Sequence, residues 1–194
     1  DKIEIFSIYS KRLSKSVVPI CNCCGEDQIE FLTIDHIVPV LRKGNSAFPY
    51  GPDLYRKIKH EGYPEGYQVL CFNCNTGKGK KTTCPHRTTT SIVLDPLRNE
   101  IVGHYSKNSF QCNCCGEKKL EFLTIDHIEG RKEMDLDAKL TSLGYNSKLS
   151  GMALYKWIKN NEFPDGFQIL CTNCNCAKSL FGKCPHSKKA SRKS

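Results

Sequence analysis

The residues of this chain that could do chemistry are an acid and an imidazole standing side by side, and the pair occurs twice. Asp35-His36 ends the stretch Phe31-Leu32-Thr33-Ile34-Asp35-His36-Ile37, and the stretch returns letter for letter at Phe122 to Ile128, carrying Asp126-His127. Imidazole titrates near neutrality and can take a proton from water. A carboxylate beside an amide oxygen can hold a hard divalent cation that keeps most of its waters. Such an amide follows each pair: Asn75 comes directly after Cys74, and Asn175 directly after Cys174. An Asp-His dipeptide alone is common, so its weight here comes from what surrounds it.

What surrounds it is cysteine. Each pair lies between two CxxC motifs: Cys21/Cys24 and Cys71/Cys74 in the first copy, Cys112/Cys115 and Cys171/Cys174 in the second. Thiolates at i and i+3 face one ion in a zinc knuckle, and the glycine that follows (Gly25, Gly116) permits the tight turn. Four thiolates per copy satisfy tetrahedral zinc, which predicts two structural zinc ions in the chain. On this reading Cys23 and Cys114 are spare. Each copy closes on Cys-Pro-His (Cys84 and His86, Cys184 and His186); these residues could complete a metal site, but the better-spaced cysteines already suffice. Cys176 is left without a role. Thirteen cysteines, an odd total, together with the CxxC spacing and no signal-peptide pattern, favour metal thiolates in a reducing, intracellular compartment over disulfides.

The elements that must position these groups follow from pattern. The repeat predicts two domains, 1–90 and 91–194, each too small to be secure without a staple. Phe31–Ile37 and Phe122–Ile128 alternate and are β-branched, as strands are. Gly66–Cys71 and Gly166–Cys171 read as second strands, each running into a helix that carries Asn75 and Lys78, or Asn175 and Lys178. Between the strands lies another helix, with Asp53 as N-cap, Leu54, Tyr55 and Ile58 on one face and Gly62 as stop; Ser150 caps its counterpart through Leu154, Trp157 and Ile158. The connection Glu129–Ala153 is nine residues longer than Val38–Asp53, the place for a substrate-specific insertion. The first copy opens on an apolar-alternating stretch, Ile3 to Tyr9, and Ser91–Tyr105 reads as two short strands around a turn at Asp95–Asn99. The fold class expected is a small α+β protein of two tandem, zinc-stapled modules.

Net charge is +9, and basic residues crowd the repeat ends and the tail. Lys78, Lys81, Arg131, Lys132, Lys178, Lys188, Lys189 and Arg192 are the expected contacts to a polyanion, DNA or RNA. No apolar run approaches the length of a membrane span, so no membrane partner is expected.

A CxxC, a strand ending in Asp-His-Ile, and a CxxC-Asn opening a helix resemble the zinc-containing HNH, or ββα-metal, endonucleases, including those like phage recombination endonuclease VII. FLTIDHI with LCxNCNxxK and a closing CPH is also similar to phage and organellar HNH proteins. The resemblance covers roughly residues 21–86 and 112–186. It implies two ββα-metal modules in which Asp35 and Asn75, and Asp126 and Asn175, hold magnesium or manganese, while His36 and His127 act as general bases in phosphodiester hydrolysis. One position departs from the commoner pattern: many members carry Asn-Leu-Gln at the second strand, where this chain has Gly66-Tyr67-Gln68 and Gly166-Phe167-Gln168. The alternative expectation is a catalytically silent HNH-derived component of a larger nucleoprotein assembly, such as an organellar ribosome.

Overall fold

The computed structural model describes residues 2–39, 51–79, 83–88 and 95–187. The chain divides into two compact units, Asp1–Thr90 and Ser91–Ser194. The first contains helix α1 (Lys2–Ser14), strand β1 (Leu32–His36), helix α2 (Pro52–His60), strand β2 (Tyr67–Cys71) and helix α3 (Phe72–Lys78). The second contains α4 (Pro96–Tyr105), β3 (Leu123–His127), the short α5 (Ala138–Ser142), α6 (Gly151–Asn160), β4 (Phe167–Cys171) and α7 (Thr172–Phe181). Each unit is thus a small α+β body around one two-stranded antiparallel sheet.

The register is the same in both sheets. Leu32 faces Cys71 and His36 faces Tyr67, while Leu123 faces Cys171 and His127 faces Phe167. Each ladder therefore carries a CxxC cysteine at one end and the acid-imidazole pair at the other. The core is built from the inward residues of the sheet and helices: Phe31, Leu32, Val69, Ile58, Ile5 and Phe6 in the first unit, and Phe122, Leu123, Ile169, Ile158, Ile101 and Leu154 in the second.

Lys2–Ser14 and Pro96–Tyr105 are helical, which corrects the reading of a turn and a second strand within Ser91–Tyr105; the first of the two expected strands, at 91–94, lies outside the described residues. Asp95 accepts from the amides of Leu97 at 3.0 Å and Arg98 at 3.3 Å, and Pro96 takes the first helical position. The buried face follows a spacing of i, i+1 and i+4: Ile101, Val102 and the half-buried Tyr105 in α4, and Ile5, Phe6 and Tyr9 in α1. A helical face of that spacing hides inside the apparent alternation, whose other member, Ile3, is 61% exposed. Tyr9 and Tyr105 each donate a hydroxyl hydrogen bond at 2.7 Å, to the carbonyls of Pro64 and Pro164.

At α2 the cap is Gly51 rather than Asp53, because Pro52 occupies the first helical position and moves Asp53 into the first turn, where it pairs with Arg56. Leu54 and Ile58 are buried, and Gly62 follows the helix at φ +69°. Ser150 stands at the N-cap of α6, with Leu154 and Ile158 buried.

Phe122 is fully buried where β3 begins. Phe122→Ala should destabilise the second unit by about 3–5 kcal/mol, read by chemical denaturation. A loss below about 1 kcal/mol would contradict the packing described.

Candidate metal centres and the cleft beside them

The first knuckle turns as its glycine requires. Gly25 lies at φ +78°, its amide donates to the Cys21 carbonyl at 2.9 Å, and the Cys21 amide donates to the Glu26 carbonyl at 2.8 Å. The Asn22 amide then donates to the Val69 carbonyl at 2.8 Å, laying the knuckle along β2. Gly116, at φ +77°, and the bond from the Asn113 amide to the Ile169 carbonyl repeat the arrangement. The result brings Cys21, Cys24, Cys71 and Cys74 into one cluster and Cys112, Cys115, Cys171 and Cys174 into another, with all sulfur atoms in each within 4.8 Å of one another.

Each set fits a tetrahedral ion. Zinc-sulfur bonds of about 2.3 Å set the sulfurs of a tetrahedron about 3.8 Å apart; Cys24 and Cys71 lie 3.8 Å apart, and Cys115 and Cys171 3.7 Å. The Cys74 amide points at the Cys71 sulfur from 3.4 Å, so the first ligand of the second pair also caps α3. The neighbouring thiols push one another's proton affinities apart. Cys21 and Cys112 are held low by the thiols of Cys24 and Cys115, while Cys74 and Cys174 are held high by Cys21 and Cys112. A bound dication removes that conflict by stabilising all four thiolates at once.

Two further groups of the same compactness stand beside the first two and share Cys74 or Cys174 with them; the sequence reading left Cys23 and Cys114 spare and the Cys-Pro-His residues as ligands not needed by the first ion. One is Cys23, Cys74, Cys84 and His86; the other is Cys114, Cys174, Cys184 and His186. The signal that could have found them is the equal spacing of the closing Cys-Pro-His after Cys74 and Cys174. Cys176 belongs to neither group, and its thiol is pushed up by burial.

At the other end of each ladder sits the acid-imidazole pair. Asp126 is 6% exposed and His127 7% exposed. Gln168, the cross-strand neighbour of Asp126, donates to its Oδ2 at 2.8 Å. Lys178, one turn beyond Asn175 on α7, donates to the same oxygen at 2.7 Å and to the carbonyls of His127 and Ile128 at 2.6 and 2.9 Å. Asp35 is held alike, by Gln68 at 2.9 Å and Lys78 at 2.6 Å. Lys78 is buried, so its charge is satisfied inside the unit. This Asp-Gln-Lys arrangement was invisible in the sequence, where the two lysines were read only as contacts to a polyanion.

Burial raises the pKa of Asp126 against the lowering by Lys178 and Gln168. Burial also lowers His127 to about 4, aided by the charges of Arg131 and Lys178, so its imidazole is neutral at pH 7. His36 is lowered in the same direction, chiefly by burial. His127 Nε2 is buried and has no hydrogen-bond partner among the described residues. Its ring packs against Phe167 at 5.1 Å and Tyr145 at 6.0 Å. Tyr145 comes from the long insertion and is fixed by a hydroxyl bond to the Arg131 carbonyl at 3.0 Å.

His127 and Asp126 line a cleft of about 630 Å³ together with Asn175, Lys178, Arg131 and Lys132. The Asn175 amide nitrogen reaches back to the Ile125 carbonyl at 3.4 Å. Arg131 and Lys132 are exposed at the cleft. In the first unit Asp35 and His36 end β1, and Asn75 lies half-buried in α3. Lys81, Lys188, Lys189 and Arg192 lie outside the described residues.

The departure at Gly66 and Gly166 has a backbone explanation. The two lie at φ +94° and +101°, where side chains are strained, and a Cβ on Gly166 would stand 2.8 Å from the Met134 methyl group. Comparison with protein-family models, curated proteins and solved structures finds no match for this chain. No helix among the described residues is long and apolar enough to cross a membrane.

Lys78→Met should cost the first unit about 3–5 kcal/mol, because it strands a mostly buried carboxylate. Denaturant unfolding of the variant checks this; a change within about 0.5 kcal/mol, the usual effect of a surface substitution, would show that the ion pair contributes nothing.

Proposed function

We propose that this chain is a nucleic-acid-binding protein of two HNH-like, zinc-stapled modules, and that its second unit hydrolyses phosphodiester bonds with the help of a divalent metal. The observation that carries the reading is His127. A neutral imidazole whose buried Nε2 has no hydrogen-bond partner among the described residues belongs to the lining of a cleft shared with a carboxylate, an amide and two exposed cations. A buried polar atom without a partner costs free energy, and such atoms concentrate where a ligand completes the bonding.

In this reading His127 takes the proton of the attacking water, and Arg131 and Lys132 bind the phosphate backbone. Asp126 and Asn175 are the residues that would hold magnesium or manganese, and such an ion would supply compensation for charge developing on the leaving oxygen. Lys178 and Gln168 both bond Asp126 Oδ2 and so orient the carboxylate. His36, Asp35 and Asn75 are the corresponding set in the first unit.

A second reading rests on the same ion pair. An ammonium already seated on the carboxylate in both units does what a metal would otherwise do, and this favours a catalytically silent component of a nucleoprotein assembly. Cleavage assays separate the two. On supercoiled and branched DNA and on RNA, with magnesium or manganese, the intact chain should nick, and His127→Ala should lower the rate of the second unit by roughly 10²- to 10⁴-fold with zinc content unchanged. Cleavage that survives loss of both His36 and His127 would sink the mechanism, and no cleavage of any substrate would leave the silent reading.

Binding itself should weaken with salt through counterion release. Replacing Arg131 and Lys132 with Ala should reduce the slope of log affinity against log salt by about 1–2. Affinity indifferent to salt would contradict the electrostatic part of the reading.

A further inference from the structure

Once four thiolates have closed around one ion, each unit still has three ligating side chains gathered at the same place. In the first unit these are Cys23 from the knuckle and Cys84 and His86 from the closing Cys-Pro-His; all three converge on Cys74, which already belongs to the first set. His86 Nδ1 lies 3.2 Å from the Cys74 sulfur and 3.8 Å from that of Cys84. In the second unit His186 Nδ1 lies 3.4 Å from the Cys174 sulfur and 3.7 Å from that of Cys184. Zinc-sulfur bonds of about 2.3 Å and zinc-nitrogen bonds of about 2.05 Å put nitrogen and sulfur about 3.6 Å apart across a tetrahedron, in the middle of these distances.

We infer that each unit binds a second zinc ion, through Cys23, Cys74, Cys84 and His86 in one and Cys114, Cys174, Cys184 and His186 in the other, with Cys74 and Cys174 bridging the two ions.

Ligand number fits this assignment. Two tetrahedral ions need eight bonds, and each unit presents seven side chains of which one sits in both groups. The assignment uses every cysteine of the chain except Cys176. The bridging residue is the one that a bridge demands, because Cys74 and Cys174 are fully buried between the two sets.

A plain alternative is that Cys84 and Cys184 are small buried side chains with idle thiols. It does not explain why both units bring an imidazole nitrogen to the same sulfur. The segments between Cys74 and Cys84 and between Cys174 and Cys184 share only Asn75/Asn175 and Lys78/Lys178, yet the Cys-Pro-His arrives at the same separation. In the first unit charge fits as well: six thiolates and two dications leave a doubly negative cluster, and Arg87 lines the same small cavity as Cys23 and Cys84. Arg87 is anchored there by a 2.7 Å bond to the Asn22 carbonyl of the knuckle. The second ion would pin a third chain segment to the first two, closing each unit behind the helix that carries Asn75 or Asn175. The inference stands apart from catalysis, since none of these residues touches the cleft at His127.

The test is metal stoichiometry on the full chain, purified under reducing conditions and dialysed against a weak chelator. Elemental analysis should find four zinc ions per chain, two for each unit. A Cys84→Ser, Cys184→Ser double variant should fall to half of that while keeping its helix content, and so should His86→Ala with His186→Ala if the serine variant misfolds. Cys176→Ser should keep the full number. Cadmium exchanged into the protein should give paired resonances with scalar coupling between the two metals through the shared sulfur. Half the expected zinc in the intact chain would overturn the inference, as would full zinc in both ligand variants; uncoupled cadmium resonances would overturn the bridge.

Discussion

The fold depends on thiolates from distant parts of the chain meeting at one point. Cys24 reaches Cys71 across 47 residues and Cys115 reaches Cys171 across 56, and the sheet of each unit has only two strands, an element of marginal stability by itself. A metal ion held by these clusters would supply what so small a core cannot, because its binding free energy becomes folding free energy. It would also set direction. Cys71 caps α3 and belongs to the candidate metal cluster, so an ion bound there would fix where the helix starts. The helix start in turn decides that Lys78 comes back over β1 to Asp35. In the second unit Cys171 stands at the N-cap of α7 without a side-chain bond to the helix amides, and Lys178 again comes back to Asp126.

The duplicated frame carries unequal sites. In both units a carboxylate at the strand end is held by a glutamine across the ladder and a lysine from the following helix. In the second unit the long insertion adds Tyr145 against the imidazole, with Trp157 packed behind it at 5.4 Å. That enclosure removes His127 from solvent, whereas His36 is only half-buried. A closed, neutral imidazole beside a polar cleft is an arrangement in which field and proton transfer are set by protein groups rather than by bulk water. The insertion therefore tunes the site without touching the metal frame.

Much of this was legible in the sequence because the informative residues are punctuated by rigid spacing. CxxC with a following glycine fixed the knuckles, the identical strands fixed the ladders, and Asn directly after a ligand cysteine fixed its place at a helix start. Two kinds of information were lost. Apolar alternation at Ile3–Tyr9 concealed a helix, since spacing of i, i+1 and i+4 overlaps with alternation over so short a run. Long-range pairing was hidden as well: nothing local tells that Lys178 will turn inward onto Asp126 rather than outward to phosphate, or that Cys23 will meet Cys84. Both contacts join residues that stand far apart in the sequence.

The central claim, that bound metal holds each unit together, can be followed through the chain's one tryptophan. Trp157 packs on Tyr145 and Phe167 and donates to the Leu143 carbonyl at 2.8 Å, so its emission reports the packing of the second unit. Stripping metal with a strong chelator under reducing conditions should shift that emission to the red together with a loss of helix content, and returning zinc should restore both. Emission and helix content that persist after the metal has been removed would contradict the account.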